Sequence, residues 1–121
     1  MSIHRFRSRK LDSFEHGFFT RLGGISIGIF EELNCGTGSK DDHNKVQFNR
    51  DLVAAEMKVN PKDLITVHQE HSSRVVTVFS PLEILTRADA IVTNTPNLSI
   101  AVLTADCLPV LFADKKNNVI V

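Results

Sequence analysis

The stretch Leu103–Asp114, LTADCLPVLFAD, places a carboxylate beside a thiol within a run of apolar residues. A free cysteine is most often a small buried hydrophobic residue, but a cysteine in a core needs no adjacent acid. Burying the unpaired charge of Asp106 would also be costly. Because Pro109 cannot donate a ladder hydrogen bond, a strand that enters this stretch should end or bulge between Asp106 and Pro109. Cys107 would then lie at a strand terminus.

Two histidines, His68 and His71, occur in the segment Leu64–Val78, LITVHQEHSSRVVTV. The β-branched flanks favour a strand, on which a spacing of three residues places two side chains on opposite faces. At most one of these histidines would therefore face a given site. The sequence HSS breaks the strand pattern, so His71 would lie at the end of the strand, where functional groups are common.

A cysteine and a histidine from separate strands could be two ligands of a zinc site or a nucleophilic Cys–His pair. A catalytic zinc ion usually has three protein ligands and a bound water. A thiol nucleophile needs an adjacent base instead. The distance in sequence does not choose between these two kinds of site, and His4, His16 and His43 have no motif around them.

The elements that would position these residues are one helix and several short strands. Asp41 and Asp42 offer an N-cap for a helix that runs to about Lys58, with Arg50 on or beside its apolar stripe. Asp89 could be a cap or turn residue at a strand start. The strand pattern is found at Phe14–Thr20, Leu64–His68, Arg74–Phe79, Ala88–Thr93, Leu98–Ala105, Leu108–Phe112 and Asn118–Val121. This order predicts an α/β fold of the α+β type, with mixed β-sheet layers flanked by helices.

The composition indicates an ordinary globular protein with 42% hydrophobic and 23% charged residues. A chain of 121 residues fits a single domain, residues 1–121. Its formal net charge of zero argues against a broad surface for nucleic acid or an anionic membrane. No apolar stretch could span a bilayer and the N-terminus has no signal core, so we expect a cytoplasmic protein with free or metal-binding cysteines.

The chain resembles the YfiH/DUF152 family, also known as multicopper polyphenol oxidase (laccase), peptidoglycan editing factor and purine nucleoside phosphorylase. The TADCLPVL block and the order of the matching pieces are specific, and the pieces cover nearly the whole chain. They are FFTRLGGISIGIF at 18–30, LNCGTGSKDD at 33–42, VQFNRDL at 46–52, HQEHSSRVV at 68–76 and RADAIVTNTPNLSIAVLTADCLPVLFAD at 87–114.

The resemblance implies a YfiH-like mixed sheet and one bound metal, usually assigned as zinc, with copper as the alternative. Two of the family's ligands map to His71, in Gln69-Glu70-His71, and to Cys107, in TADC; Glu70 replaces an apolar residue of the family motif. The third family ligand is a histidine of an HAGWRG motif that follows the strand NVIV. The chain ends in NNVIV, so it resembles the first half of a member, truncated before that motif.

The resemblance also implies an activity, the phosphorolysis of purine nucleosides (adenosine, inosine and methylthioadenosine) together with adenosine deamination. The expected partners are a nucleoside and phosphate, with a complementing C-terminal fragment conceivable. Arg50 or Arg21 would bind phosphate, and Asp106 would support the metal ligands. The alternatives are copper-dependent phenol oxidation, for which five histidines are few, a Cys107–His71 hydrolase that edits peptidoglycan precursors, and an inactive fragment.

Overall fold

The computed structural model describes residues 2–121, which divide into two compact units, one up to Pro61 and the other from Lys62 to Val121. The described residues contain one α-helix and eight short strands, and the strands form two-stranded sheets, two parallel and two antiparallel. This arrangement confirms the predicted α+β class with mixed strand pairing. That residues 1–121 are a single domain stays a prediction.

The first unit combines a small antiparallel sheet with the helix. Strand β1 (Arg5–Phe6) pairs with β2 (Phe18–Phe19), which is the only part of the predicted strand Phe14–Thr20 that is a strand among the described residues. Helix α1 (His43–Glu56) confirms the predicted helix. The side chain of Asp42 caps it by accepting hydrogen bonds from the N–H groups at the first turn.

The buried face of α1 is narrower than the predicted apolar stripe. Phe48 and Ala55 are exposed, whereas Asn49 is fully buried beside Val46. Asn49 is inside because its amide has partners on both sides. Its Oδ1 accepts from the Ile25 N–H at 2.9 Å, and its Nδ2 donates to the Ser26 Oγ at 2.9 Å and to the Asn34 carbonyl at 2.8 Å. A satisfied polar group of this kind fixes the segments that contain Ile25, Ser26 and Asn34 against the helix.

The second unit contains both parallel sheets. Strand β3 (Leu64–Ile65) pairs with β6 (Ser99–Ile100), and β4 (Val75–Thr77) pairs with β5 (Ala90–Val92). A bridge from Thr93 to Ile120 connects the end of β5 with an antiparallel pair of strands, β7 (Ala113–Asp114) and β8 (Val119–Ile120). The core of this unit consists of Ile65, Val67, Val78, Ala88 and Ile91.

The strands around the cysteine are shorter than the sequence pattern predicts. The predicted interior strand Leu98–Ala105 is a strand only at Ser99–Ile100, and the predicted strand Leu108–Phe112 is absent from the described residues. Leu108 and Phe112 are 86% and 60% exposed, so this apolar run does not lie in the core of the unit. At the end of the run, Phe112 exchanges backbone hydrogen bonds of 2.8 and 2.9 Å with Val121, whereas Pro109 cannot donate a ladder bond because it has no N–H.

No helix within residues 2–121 is both long enough and apolar enough to cross a membrane.

Candidate metal centre

His71 lies on a turn that the carboxylate of Asp89 organises. The Asp89 oxygens accept hydrogen bonds from three consecutive backbone N–H groups, those of Glu70 at 3.1 Å, His71 at 2.9 Å and Ser72 at 2.8 Å. The Ser72 hydroxyl donates a fourth bond at 2.7 Å. This cluster holds His71 at a φ of +56°, in the left-handed region that non-glycine residues seldom adopt. The imidazole is therefore presented from a fixed turn.

The hydrogen bonds to Asp89 favour its charged form. Those from the Ser72 hydroxyl and backbone lower the pKa of Asp89 most, with help from the Glu70 and His71 N–H groups, to about 2. The carboxylate is thus ionised at every pH at which a histidine could bind a metal.

The segment that leads to Cys107 is attached to the histidine segment through Gln69. The Gln69 Nε2 donates to the Leu103 carbonyl at 2.7 Å, and its Oε1 accepts from the Leu103 N–H at 2.9 Å. The side chain thereby uses both backbone groups of Leu103, as a neighbouring strand would. Cys107 follows on an exposed bend.

The structure brings Cys107 and His71 together, with the Sγ and Nε2 atoms 3.9 Å apart. In a tetrahedral zinc site with ordinary ligand distances, a sulfur and an imidazole nitrogen are about 3.6 Å apart. Both side chains are exposed, and both atoms are donors that zinc prefers. The pair therefore fits as two ligands of one zinc ion. His68 is exposed, and its described role is backbone pairing with Thr86 and Ala88.

Residues 2–121 contain no group of three His, Cys, Asp or Glu side chains arranged to hold a metal ion. Asp106, predicted to support the ligands, is exposed and has a φ of +84°. Aspartate tolerates this left-handed conformation better than most residues. The described residues thus provide two donor atoms for a metal, and a role for Asp106 stays a prediction.

The two candidate phosphate-binding arginines both lie in the first unit. Arg50 is half-buried and donates from Nε to the Cys35 carbonyl at 2.8 Å, and its burial lowers the pKa of its guanidinium. Burial likewise raises the pKa of the Cys35 thiol, so this cysteine is held in its neutral form. Arg21 is exposed and donates to the Glu31 carbonyl at 3.1 Å.

Sequence reasoning did not identify the residues that position the pair. The sequence predicts Asp89 as a cap or turn residue, which is its local role, but does not connect that turn with His71. It assigns no function to Gln69. The sequence does contain a signal for Gln69. On a strand it shares a face with Ile65 and Val67, which are buried, so its amide is expected to need hydrogen-bond partners. Glu70, the departure from the family motif, lies 3.6 Å from Arg87 in an ion pair.

Comparisons with known proteins show the family to which the chain belongs. The family model for the multi-copper polyphenol oxidoreductase laccase matches residues 15–121. A purine nucleoside phosphorylase of Streptomyces coelicolor is 42% identical over 105 residues, which are 85% of this chain and 43% of that protein. The chain thus spans less than half the length of this curated relative.

Two crystal structures have similar folds. The YfiH protein of Bacillus licheniformis aligns with a TM-score of 0.79 at 33% identity, over 86% of this chain and 42% of that one. A DUF152 protein of Neisseria meningitidis aligns with a TM-score of 0.78 at 36% identity, over the same shares of the two chains. The chain therefore belongs to the multi-copper polyphenol oxidoreductase laccase family, in which the YfiH and DUF152 proteins are its structural neighbours.

Proposed function

We propose that the protein acts in the phosphorolysis of purine nucleosides and that His71 and Cys107 are ligands of a zinc ion in its active site. The observation that carries this proposal is the 3.9 Å contact between the Cys107 Sγ and the His71 Nε2, which lie on two segments far apart in the chain. The name of the Streptomyces coelicolor relative supplies the reaction. Adenosine, inosine and methylthioadenosine are the proposed substrates, with adenosine deamination as a second activity.

The metal-binding step depends on the protonation states of the pair. Cys107 must bind as the thiolate, and the His71 imidazole must be neutral so that Nε2 keeps its lone pair. His71 and Cys107 would hold the zinc ion, which would supply a Lewis acid for deamination by water attack. The Asp89 turn fixes the backbone of His71, which limits the orientations that its ring can adopt.

Phosphorolysis breaks the N-glycosidic bond of the nucleoside and forms a bond from C1′ of the ribose to a phosphate oxygen. The phosphate has to be oriented toward C1′, and a guanidinium can do this with two parallel hydrogen bonds. Arg50 is our first candidate, because the Cys35 carbonyl already orients its guanidinium. Arg21 is the second candidate.

A thiol hydrolase is the second candidate function, since the same contact would let His71 act as the base that activates Cys107. The two functions respond differently to a chelator. Removal of the metal abolishes a zinc-dependent phosphorolysis and leaves a Cys–His hydrolase active.

The proposed reaction is tested by incubating the purified protein with adenosine and phosphate and quantifying free adenine and inosine. We expect adenine to appear only with phosphate, inosine to appear without it, and both to be lost in Cys107→Ala. The matched control is Cys35→Ala, which removes the other thiol and keeps the pair. Turnover that survives Cys107→Ala, or no turnover by zinc-loaded protein, would contradict the proposal.

A further inference from the structure

Gln69 connects the segment that carries His71 with the segment that carries Cys107, and it does so near both residues. It precedes His71 by two residues, and its partner Leu103 precedes Cys107 by four. We infer that Gln69 is a positioning residue that sets the separation between the Cys107 sulfur and the His71 imidazole. This inference rests on the proposed function, in which these two atoms bind one zinc ion.

The regular strand pairing ends before it reaches the site. The ladder between β3 and β6 ends with the hydrogen bond of 2.9 Å from the Ala101 N–H to the Ile65 carbonyl. Residues 101–107 are not in a strand. Beyond the end of the strands, the side-chain amide of Gln69 takes the place of a neighbouring strand and bonds both backbone groups of Leu103. It thus extends the register of the sheet toward Cys107.

An amide is well suited to this position because it donates and accepts at the same time. A carboxylate could accept from the Leu103 N–H but could not donate to the Leu103 carbonyl. The Gln69 side chain is half-buried, so water competes less for the two bonds than it would at an exposed site. Without the amide, the two backbone groups of Leu103 would have to be solvated, and the path to Cys107 would lose its link to the histidine turn.

The first test measures the separation directly in metal-free protein by NMR. The wild type and the control Gln47→Ala, which truncates an exposed helical glutamine, should show an NOE between the Cys107 Hβ and His71 Hε1 protons. Gln69→Ala should lose it while the inter-strand NOEs of β3 and β6 persist. An NOE of wild-type intensity in Gln69→Ala would overturn the inference.

A second variant covers the case in which Gln69→Ala does not fold. Gln69→Glu keeps an acceptor for the Leu103 N–H and loses the donor to the Leu103 carbonyl, so at pH 7 we expect a weakened NOE in a folded protein. An unchanged NOE in this variant would equally contradict the positioning role.

The second test follows Co²⁺ binding through the thiolate-to-cobalt absorption band, which reports the sulfur itself. We expect Gln69→Ala to bind Co²⁺ about 10- to 100-fold more weakly than wild type and Gln47→Ala, as is typical when a ligand's supporting hydrogen bonds are lost. Equal affinities would overturn the inference. If the wild type shows no band, the zinc assignment fails, and the metal-free NOE still decides whether Gln69 sets the separation.

Discussion

The carboxylate of Asp89 accepts a hydrogen bond of 2.9 Å from the backbone N–H of His71, the residue that carries one of the two proposed metal ligands. This hydrogen bond is made to the backbone of His71 and not to its imidazole ring. It determines the backbone conformation from which the imidazole extends, a left-handed φ of +56°. The orientation of the ligand therefore depends on a residue from the start of a different strand.

Replacing Asp89 should loosen the His71 turn. In Asp89→Asn, one carboxylate oxygen becomes an NH2 group, which cannot accept the hydrogen bonds that the backbone N–H groups donate in the wild type. We therefore expect faster hydrogen exchange at His71 and Ser72 and about tenfold weaker zinc binding. Asp114→Asn is the matched control, because Asp114 also accepts from two backbone N–H groups in an exposed turn. Equal exchange rates in wild type and Asp89→Asn would show that the turn does not depend on the carboxylate.

Acid should weaken the fold through Asp89. Its pKa is about 2 in the folded protein against an ordinary value of 3.8. A carboxyl group with a lowered folded pKa adds stability that is full above its unfolded pKa and is lost as the pH falls through the folded pKa. The difference in unfolding free energy between wild type and Asp89→Asn should therefore shrink from pH 4 to pH 2. Urea titrations at several pH values measure it, and a constant difference would contradict the assignment.

The buried Asn49 amide should matter more to stability than other polar groups of α1. In Asn49→Leu, the partly buried Ile25 N–H and Asn34 carbonyl lose their partner, and a polar group left unsatisfied away from water costs up to about 1–3 kcal/mol. Urea unfolding should show a loss of that order. Gln47→Ala, at an exposed position of the same helix, should change the unfolding free energy by less than about 0.5 kcal/mol. Similar effects for the two variants would contradict the assigned network.

Arg50→Lys should separate phosphate binding from nucleoside binding. Lysine keeps the charge but cannot make two parallel hydrogen bonds, so we expect the KM for phosphate to rise about tenfold while the KM for adenosine changes little. Arg21→Lys, measured in parallel, decides between the two candidates. A phosphate KM that is unchanged in both variants would remove both from the phosphate site.

The elements that local rules determine could be predicted from the sequence. The Asp42 cap and the spacing of apolar residues located α1. The prediction that the strand ends between Asp106 and Pro109, with Cys107 at its terminus, was wrong, because β6 already ends at Ile100, seven residues before Cys107. Strand lengths were overestimated, because an apolar alternation does not show whether a neighbouring strand is present to complete the ladder. The exposed run from Leu108 to Phe112 is the clearest case.

From spacing and strand parity alone, the candidate site could be predicted only as a pair of residue types, and the family resemblance was needed to select His71 and Cys107. Strand parity places His68 and His71 on opposite faces of a strand but does not show which of them faces Cys107, because that depends on which segment lies beside the cysteine. That proximity arises from tertiary contacts, the Gln69–Leu103 bonds and the Asp89 turn, which join residues far apart in the chain. Sequence spacing carries no information about such contacts unless the fold is known.

Zinc binding by the purified protein tests the central claim most directly. Stoichiometry and affinity should be measured for wild type, His71→Ala and Cys107→Ala, with His68→Ala and Cys35→Ala as controls that remove the same residue types elsewhere. We predict that wild type and both controls bind one zinc ion per chain with the same affinity, and that His71→Ala and Cys107→Ala each lose it. Unchanged zinc binding in either of those two variants would contradict the assignment of the site.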